Sequence, residues 1–268
     1  MCRGERRSGR ASVRRWAPGS SYLASAPGIA LAAVDDSPEA VGRQPSDLVA
    51  DSLLEGQIMP SLEWNRRFGM DLVRFSREGS TDHFYGDQWG SIKDCDGLIA
   101  VRKRFLDPFL SPDRVCMEIG SGGGRWTQYL LPCKELICVE LNPKMFDYIR
   151  NRFDYPKNVV YIATSGHDLP SVLPAHVDFV FSFGTFVNLE MAIIARYVES
   201  ISLVMKPGAD VALQISNKYK EHALTAKPYF SDNSPEFMVD IFARHGLQVV
   251  EIDNDVLFHS TMIHGRKL

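Results

Sequence analysis

No run of 18 or more apolar residues occurs in the 268-residue chain, so no transmembrane helix is expected. Nor is one sign of charge in excess. Lys and Arg number 30, Asp and Glu 33, and the formal charge is −3. That balance gives no support to a broad nucleic-acid-binding surface, although it leaves room for a local basic patch. Paired cysteine spacings are missing as well. The five cysteines (Cys2, Cys95, Cys116, Cys133 and Cys138) are odd in number and irregularly spaced, without a C-x-x-C. Reduced structural thiols in a cytoplasmic protein are therefore expected, and a disulfide framework or zinc site is not. No internal repeat is visible. What remains is ordinary globular material, 45% apolar and 24% charged, enough for one generous core.

The first 34 residues stand apart. They carry six arginines (Arg3, Arg6, Arg7, Arg10, Arg14 and Arg15) against a single acid, Glu5. Such basic, Ser-rich composition resembles a transit peptide, and residues 22–34 have the look of a weak signal core broken by Pro27 and Gly28. A disordered tail, or translated sequence upstream of the true start, is the reading preferred here. Residues 1–58 are accordingly set aside as an extension. Residues 59–110 read as a helical, aromatic-rich cap with Trp64, Phe68, Phe75, Phe84, Tyr85 and Trp89, and residues 111–268 as the working domain. Within the cap, 97–106 reads as a helix with Leu98, Val101 and Phe105 on one face.

From Arg114 onward short apolar runs alternate with helical segments. Strands are expected at 115–119, 136–140, 159–163, 177–181, 210–215, 248–252 and 260–264, and helices at 125–131, 143–153, 190–204 and 234–245. Near-continuous apolar strands separated by helices imply a parallel sheet covered on both faces. The last two strands have no room for a helix between them, so they should pair antiparallel. The expected fold class is α/β, a doubly wound, mostly parallel seven-stranded sheet with an antiparallel last strand.

The most informative stretch runs from Val115 through Glu118, Ile119, Gly120, Ser121, Gly122, Gly123 and Gly124 to Trp126: a buried strand, a glycine-rich turn and a helix start. Few side chains stand at that turn, so the backbone can bend sharply and touch a ligand directly. Open α/β sheets bind ligands at this end of the strands. Twenty residues past Gly120, the next strand ends in Glu140, placed to accept both hydroxyls of a ribose. Nicotinamide dinucleotides and adenosyl sulfonium cofactors share this geometry. The dinucleotide pattern G-x-G-x-x-G requires a third glycine, and Arg125 stands in its place.

The run E-x-G-x-G-x-G from Glu118 to Gly124 resembles motif I of the class I S-adenosylmethionine-dependent methyltransferases. Four further stretches extend the resemblance: Glu140-Leu141-Asn142-Pro143, Thr164 to Pro170, Asp178 to Gly184, and Met205-Lys206-Pro207-Gly208-Ala209 as a turn into the fifth strand. The block at 84–104 is similar to the lead-in of uncharacterised bacterial small-molecule methyltransferases. The resemblance implies a Rossmann-like methyltransferase fold with S-adenosyl-L-methionine as cofactor. It implies that Glu118 holds the cofactor's ammonium group and that Gly120, Ser121, Gly122 and Gly124 accommodate its methionine part. Glu140 and Leu141 would meet the ribose and its surroundings, Ser165 and Gly166 the adenine, and Ser182 the face of the transferable methyl. The family often has Asp or Asn where Ser165 stands, which leaves backbone contacts there or Asp168 as a substitute.

Methyl transfer is an in-line displacement in which alignment supplies most of the catalysis, and a base is needed only for a protonated nucleophile. Candidates for substrate contact are Asn188, with a helix cap as its equal alternative, and His222 and His259 as bases. His83, Tyr85 and Trp89 are a candidate lid, and Phe183 and Phe186 candidate pocket walls. Lys218, Lys220 and Lys227 form a modest basic cluster. The N/D-P-P-Y sequence of methyltransferases acting on DNA bases is missing, with Ser182-Phe183-Gly184 in its place, so a small-molecule acceptor, such as a hydroxyl of a sugar-like or natural-product compound, is expected. The competing readings are an NAD(P)-dependent oxidoreductase and a cofactor-binding, non-catalytic partner subunit.

Overall fold

A computed structural model of the chain describes residues 65, 86, 91–225 and 230–268. The expectations for the N-terminal extension, for most of the cap and for the lid residues His83, Tyr85 and Trp89 lie outside those residues. The described part is built on seven strands: β1 (Val115–Ile119), β2 (Glu135–Glu140), β3 (Val159–Ala163), β4 (Val177–Ser182), β5 (Met205–Ser216), β6 (Leu247–Asp253) and β7 (Ser260–Lys267). Their order across the sheet is β3-β2-β1-β4-β5-β7-β6. Strands β1 to β5 are parallel, and β7 runs antiparallel between β5 and β6. The expected doubly wound, seven-stranded sheet with an antiparallel last strand is the one found.

The alternation of side chains along each strand divides the core in two. On one face Met117, Val139, Val180, Val211 and Ile263 pack beneath α4 (Met191–Val204) and α6 (Pro235–Arg244). Helix α4 presents Ile194, Tyr197, Val198 and Ile201, the spacing of a single helical stripe. Helix α6 starts where Ser234 Oγ accepts the Phe237 N–H, with Pro235 in the first turn, where its missing N–H is harmless. On the other face Cys116, Cys138, Phe179, Phe181 and Met262 meet α1 (Asp96–Phe105), α2 (Thr127–Leu130) and α3 (Met145–Arg152). Helix α1 buries Leu98, Val101 and Phe105, as their spacing indicates.

One boundary differs from expectation. Residues 205–209 are not a turn into β5 but its first part, because Met205 pairs with Val177 across an irregular register. Lys206 Nζ, donating to both Asp178 carboxylate oxygens at 2.8 Å, secures the extension. The four described cysteines are free thiols, and Cys116 and Cys133 face each other with sulfurs 2.8 Å apart.

Candidate active site

The carboxyl ends of β1, β2 and β3 are stitched together. Gly120 N–H donates to the Val139 carbonyl (2.8 Å) and Thr164 N–H to the Glu140 carbonyl (3.0 Å). The turn after β1 passes through positive φ at Gly120 (76°), Gly122 (50°) and Gly124 (87°). Gly120 is doubly constrained, since a Cβ there would stand 1.7 Å from Thr185 Oγ1. At Gly124 a Cβ would stand 2.8 Å from the Phe153 ring, so α3 closes tightly over the turn. Arg152 Nη1 donates to the Gly123 carbonyl at 3.1 Å and fixes that approach.

Two carboxylates flank the turn. Glu118 is 3% exposed, and its only hydrogen bond among the described residues comes from Thr127 Oγ1 at 2.5 Å. Burial pushes its pKa up to about 8; the Thr127 hydrogen bond opposes the shift and the charge of Glu140 adds to it. Glu140 ends β2, where Oε2 accepts the Gly122 N–H (3.0 Å) and Oε1 accepts the N–H groups of Leu141 (2.8 Å) and Asn142 (3.2 Å). Burial raises its pKa, and those three backbone donors pull against the shift. Asn142 Nδ2 is buried nearby without a partner among the described residues, and sequence reasoning did not single it out. A buried amide donor left open beside a carboxylate marks a place for a ligand oxygen.

At the end of β3, Ser165 N–H and Oγ both donate to Asp168 Oδ1 (2.9 and 2.8 Å), and Gly166 N–H donates to Thr164 Oγ1 (3.0 Å). Both amides therefore serve the turn itself. At the end of β4 the fully buried Ser182 hydroxyl donates to the Ile119 carbonyl at 2.7 Å. Ser182 thus clamps β4 to β1 through its side chain and offers a ligand only its backbone.

Several remaining candidates change role. Phe186 is fully buried, edge to face with Tyr197, and belongs to the core rather than to a pocket wall. Phe183 lies on Trp126 with ring centroids 4.7 Å apart. Asn188 is not the cap of α4, whose N-cap is Glu190; its Nδ2 closes the preceding turn onto the Gly184 carbonyl at 3.0 Å. Lys220 is turned inward onto the carbonyls of Asn254 and Leu257, so it is not a solvated cation. Lys227 lies outside the described residues. His222 and His259 are not isolated surface histidines, since both belong to one ring cluster. Gln214, which sequence reasoning missed, is 1% exposed, accepts the Gly184 N–H and donates to Ser260 Oγ, both at 2.7 Å. Among the described residues no group of His, Cys, Asp and Glu is arranged to hold a metal ion, and no helix is long and apolar enough to cross a membrane.

Residues 116–208 match a family model described as a methyltransferase domain. No curated protein matches the chain. Solved structures that it resembles include an S-adenosylmethionine-dependent methyltransferase from Methanosarcina mazei, at 13% identity and TM-score 0.51, over 62% of this chain and 97% of that one. Another, from Mesorhizobium loti, is 10% identical with TM-score 0.52, over 66% of this chain and all of that one. A geranyl diphosphate methyltransferase in complex with GPP and sinefungin is 11% identical with TM-score 0.53, over 63% and 78%. The sheet order is that of the Rossmann-like methyltransferase fold, and residues 116–208 within it match a methyltransferase domain. The chain is an enzyme, and S-adenosylmethionine is its cofactor; the oxidoreductase reading is not favoured. The donor set suits that cofactor, with a buried carboxylate for a cation and a carboxylate and open amide for hydroxyls.

Proposed function

We propose that the chain transfers a methyl group from S-adenosylmethionine to a hydroxyl of a small-molecule acceptor. The observation that carries this reading is the pair of carboxylates, Glu118 and Glu140, set on either side of a turn that leaves no room for a side chain at Gly120 or Gly124. Glu118 holds the ammonium group of the cofactor. The turn from Gly120 through Ser121, Gly122 and Gly124 lies along its methionine part. Glu140, with Asn142 Nδ2 beside it, takes the ribose hydroxyls, and Leu141 borders the ring. Ser165 and Gly166 shape the adenine end, with Asp168 Oδ2 as the acceptor for its amine. Ser182 sets the backbone that faces the methyl group.

When bound, the cofactor supplies an electrophilic methyl on a sulfonium. The residues of the chain align it against the nucleophile and exclude water, the effect expected to dominate such a displacement. A small acceptor is supported by the near-neutral charge balance and by the absence of the sequence that marks methyltransferases acting on DNA bases. The geranyl diphosphate methyltransferase carries a small acceptor on the same fold. Residues 111–268 are the catalytic domain on this reading, residues 59–110 its cap and residues 1–58 an extension. The four free thiols favour the cytoplasm as the site of action. Transfer of label from methyl-labelled S-adenosylmethionine to a panel of hydroxylated metabolites tests the reading. Label in at least one product supports it, whereas cofactor binding with no transfer to any of them would point to the non-catalytic partner subunit.

A further inference from the structure

A second group of side chains stands at the carboxyl edge of the sheet, unused by the cofactor. The short helix α5 (Glu221–Thr225) follows β5, and its His222 packs against Phe258 with ring centroids 4.5 Å apart and planes at 64°. Phe230 lies 6.3 Å and His259 6.1 Å from the same imidazole. His259 stacks on Phe230 (4.9 Å, 29°) and meets Phe258 edge to face (4.7 Å, 74°). Because β7 is antiparallel, its first residue, Ser260, pairs with the last of β5, Ser216. The four rings therefore sit at the same edge of the sheet as the glycine turn.

The surroundings suit an apolar guest. Leu224, two residues from His222, and Phe258 itself are exposed by 50% and 42%, placing large apolar side chains in water at the ring cluster. Nδ1 of His259 is buried without a partner among the described residues. His222 is partly exposed, and no hydrogen bond holds its ring nitrogens within the described part of the chain. The cluster is also fixed relative to the methyl-facing strand end through Gln214, which links Gly184 to Ser260. Strand β5 lies between β4 and β7, so the cluster stands two strand spacings, about 10 Å, from the end of β4. A base has to lie within hydrogen-bonding reach of the proton it takes, so this placement favours recognition over proton abstraction. The same separation matches the length of two linked six-membered rings.

We propose that His222, Phe230 and Phe258, backed by His259, form a distal acceptor subsite that selects substrates carrying a flat, unsaturated ring remote from the hydroxyl to be methylated. The subsite rests on the methyl-transfer reading above. The ring of the guest packs against His222 and Phe258, and an accessible imidazole nitrogen offers it one hydrogen bond.

Calorimetric titration of the full chain saturated with S-adenosylhomocysteine tests this, using phenol and 4-phenylphenol as short and long probes. The wild type is expected to bind 4-phenylphenol at least ten-fold more tightly than phenol. His222→Ala and Phe258→Ala, both on the partly exposed rim, are expected to lose that preference while their affinities for phenol and S-adenosylhomocysteine stay unchanged. A preference that survives both substitutions, or no preference in the wild type, overturns the subsite with the cofactor site intact. Failure of the wild type to bind S-adenosylhomocysteine overturns the cofactor reading, and the subsite with it.

Discussion

Glu118→Gln should make the protein more stable and bind its cofactor less well. The native carboxyl, 3% exposed and raised to about 8, stays protonated over a range in which the unfolded chain is ionised. Between pH 4.5 and about 8 the unfolded state therefore binds fewer protons than the native state, and stability falls as pH rises through that window. The gap of roughly 3.5 pH units corresponds to something on the order of 5 kcal/mol. Glutamine does not titrate and keeps an oxygen for the Thr127 hydroxyl, so the variant escapes this loss. Even half of it, about 2 kcal/mol, raises Tm by about 4–8 °C in a chain of this size. The variant and the wild type should have similar Tm near pH 4.5, diverge up to pH 8 and run parallel above it. Cofactor affinity should move the other way. The wild type should bind S-adenosylmethionine more tightly as pH rises from 6 to 8, with a proton released to the buffer. In the variant that pH dependence should vanish and the affinity should be lower throughout. Thermal melts and calorimetry in two buffers of different ionisation enthalpy measure both effects. A variant less stable than the wild type at pH 8, or with unchanged affinity, refutes the assigned burial and role.

Other outcomes follow from the same site. Glu140→Gln keeps the shape but loses the charge that accepts hydroxyls, and a charged hydrogen bond contributes about 1.5–3 kcal/mol. Its Kd for S-adenosylhomocysteine by calorimetry should rise at least ten-fold, and an unchanged value excludes the ribose role. Gly120→Ala places a Cβ 1.7 Å from Thr185 Oγ1 at a φ of 76°. Tm should drop sharply, and Thr185→Gly should restore part of it; a neutral Gly120→Ala contradicts the packing. His259 is held neutral down to about pH 3, by burial first and then by the charges of His222 and Lys220. Its folded pKa lies below the unfolded value of 6.5, so its contribution is present above 6.5 and lost as pH falls toward 3. An imidazole resonance for His259 that titrates near 6 in NMR spectra rules this out.

The strands and the glycine turn were legible because their signals are local. Runs such as 115–119 and 177–181 are covered on both faces and so are apolar but for Glu118 and Asp178, and three positive-φ positions in five residues select glycine. Glu140 was legible because a carboxylate that ends a buried strand is conspicuous. Long-range contacts were not. Nothing near Ser182 announces that its hydroxyl caps the Ile119 carbonyl 63 residues away. Phe186 looks the same in sequence whether it lines a pocket or, as here, packs on Tyr197. Gln214 interrupts the apolar run 211–215 of β5 and could have been noticed on that ground, but its partners Gly184 and Ser260 become neighbours only through the sheet order. Residues 205–209 look like a turn from Pro207 and Gly208, and the pairing of Met205 with Val177 overrides that preference.

The most direct measurement is a crystal structure of the protein grown with S-adenosylhomocysteine. Density for the amino acid end beside Glu118 and Thr127, with the ribose on Glu140 and Asn142, is the expected result. Density at any other place, or a glycine turn filled by the protein's own side chains, would contradict the proposal that these two carboxylates and the bare backbone between them hold the cofactor.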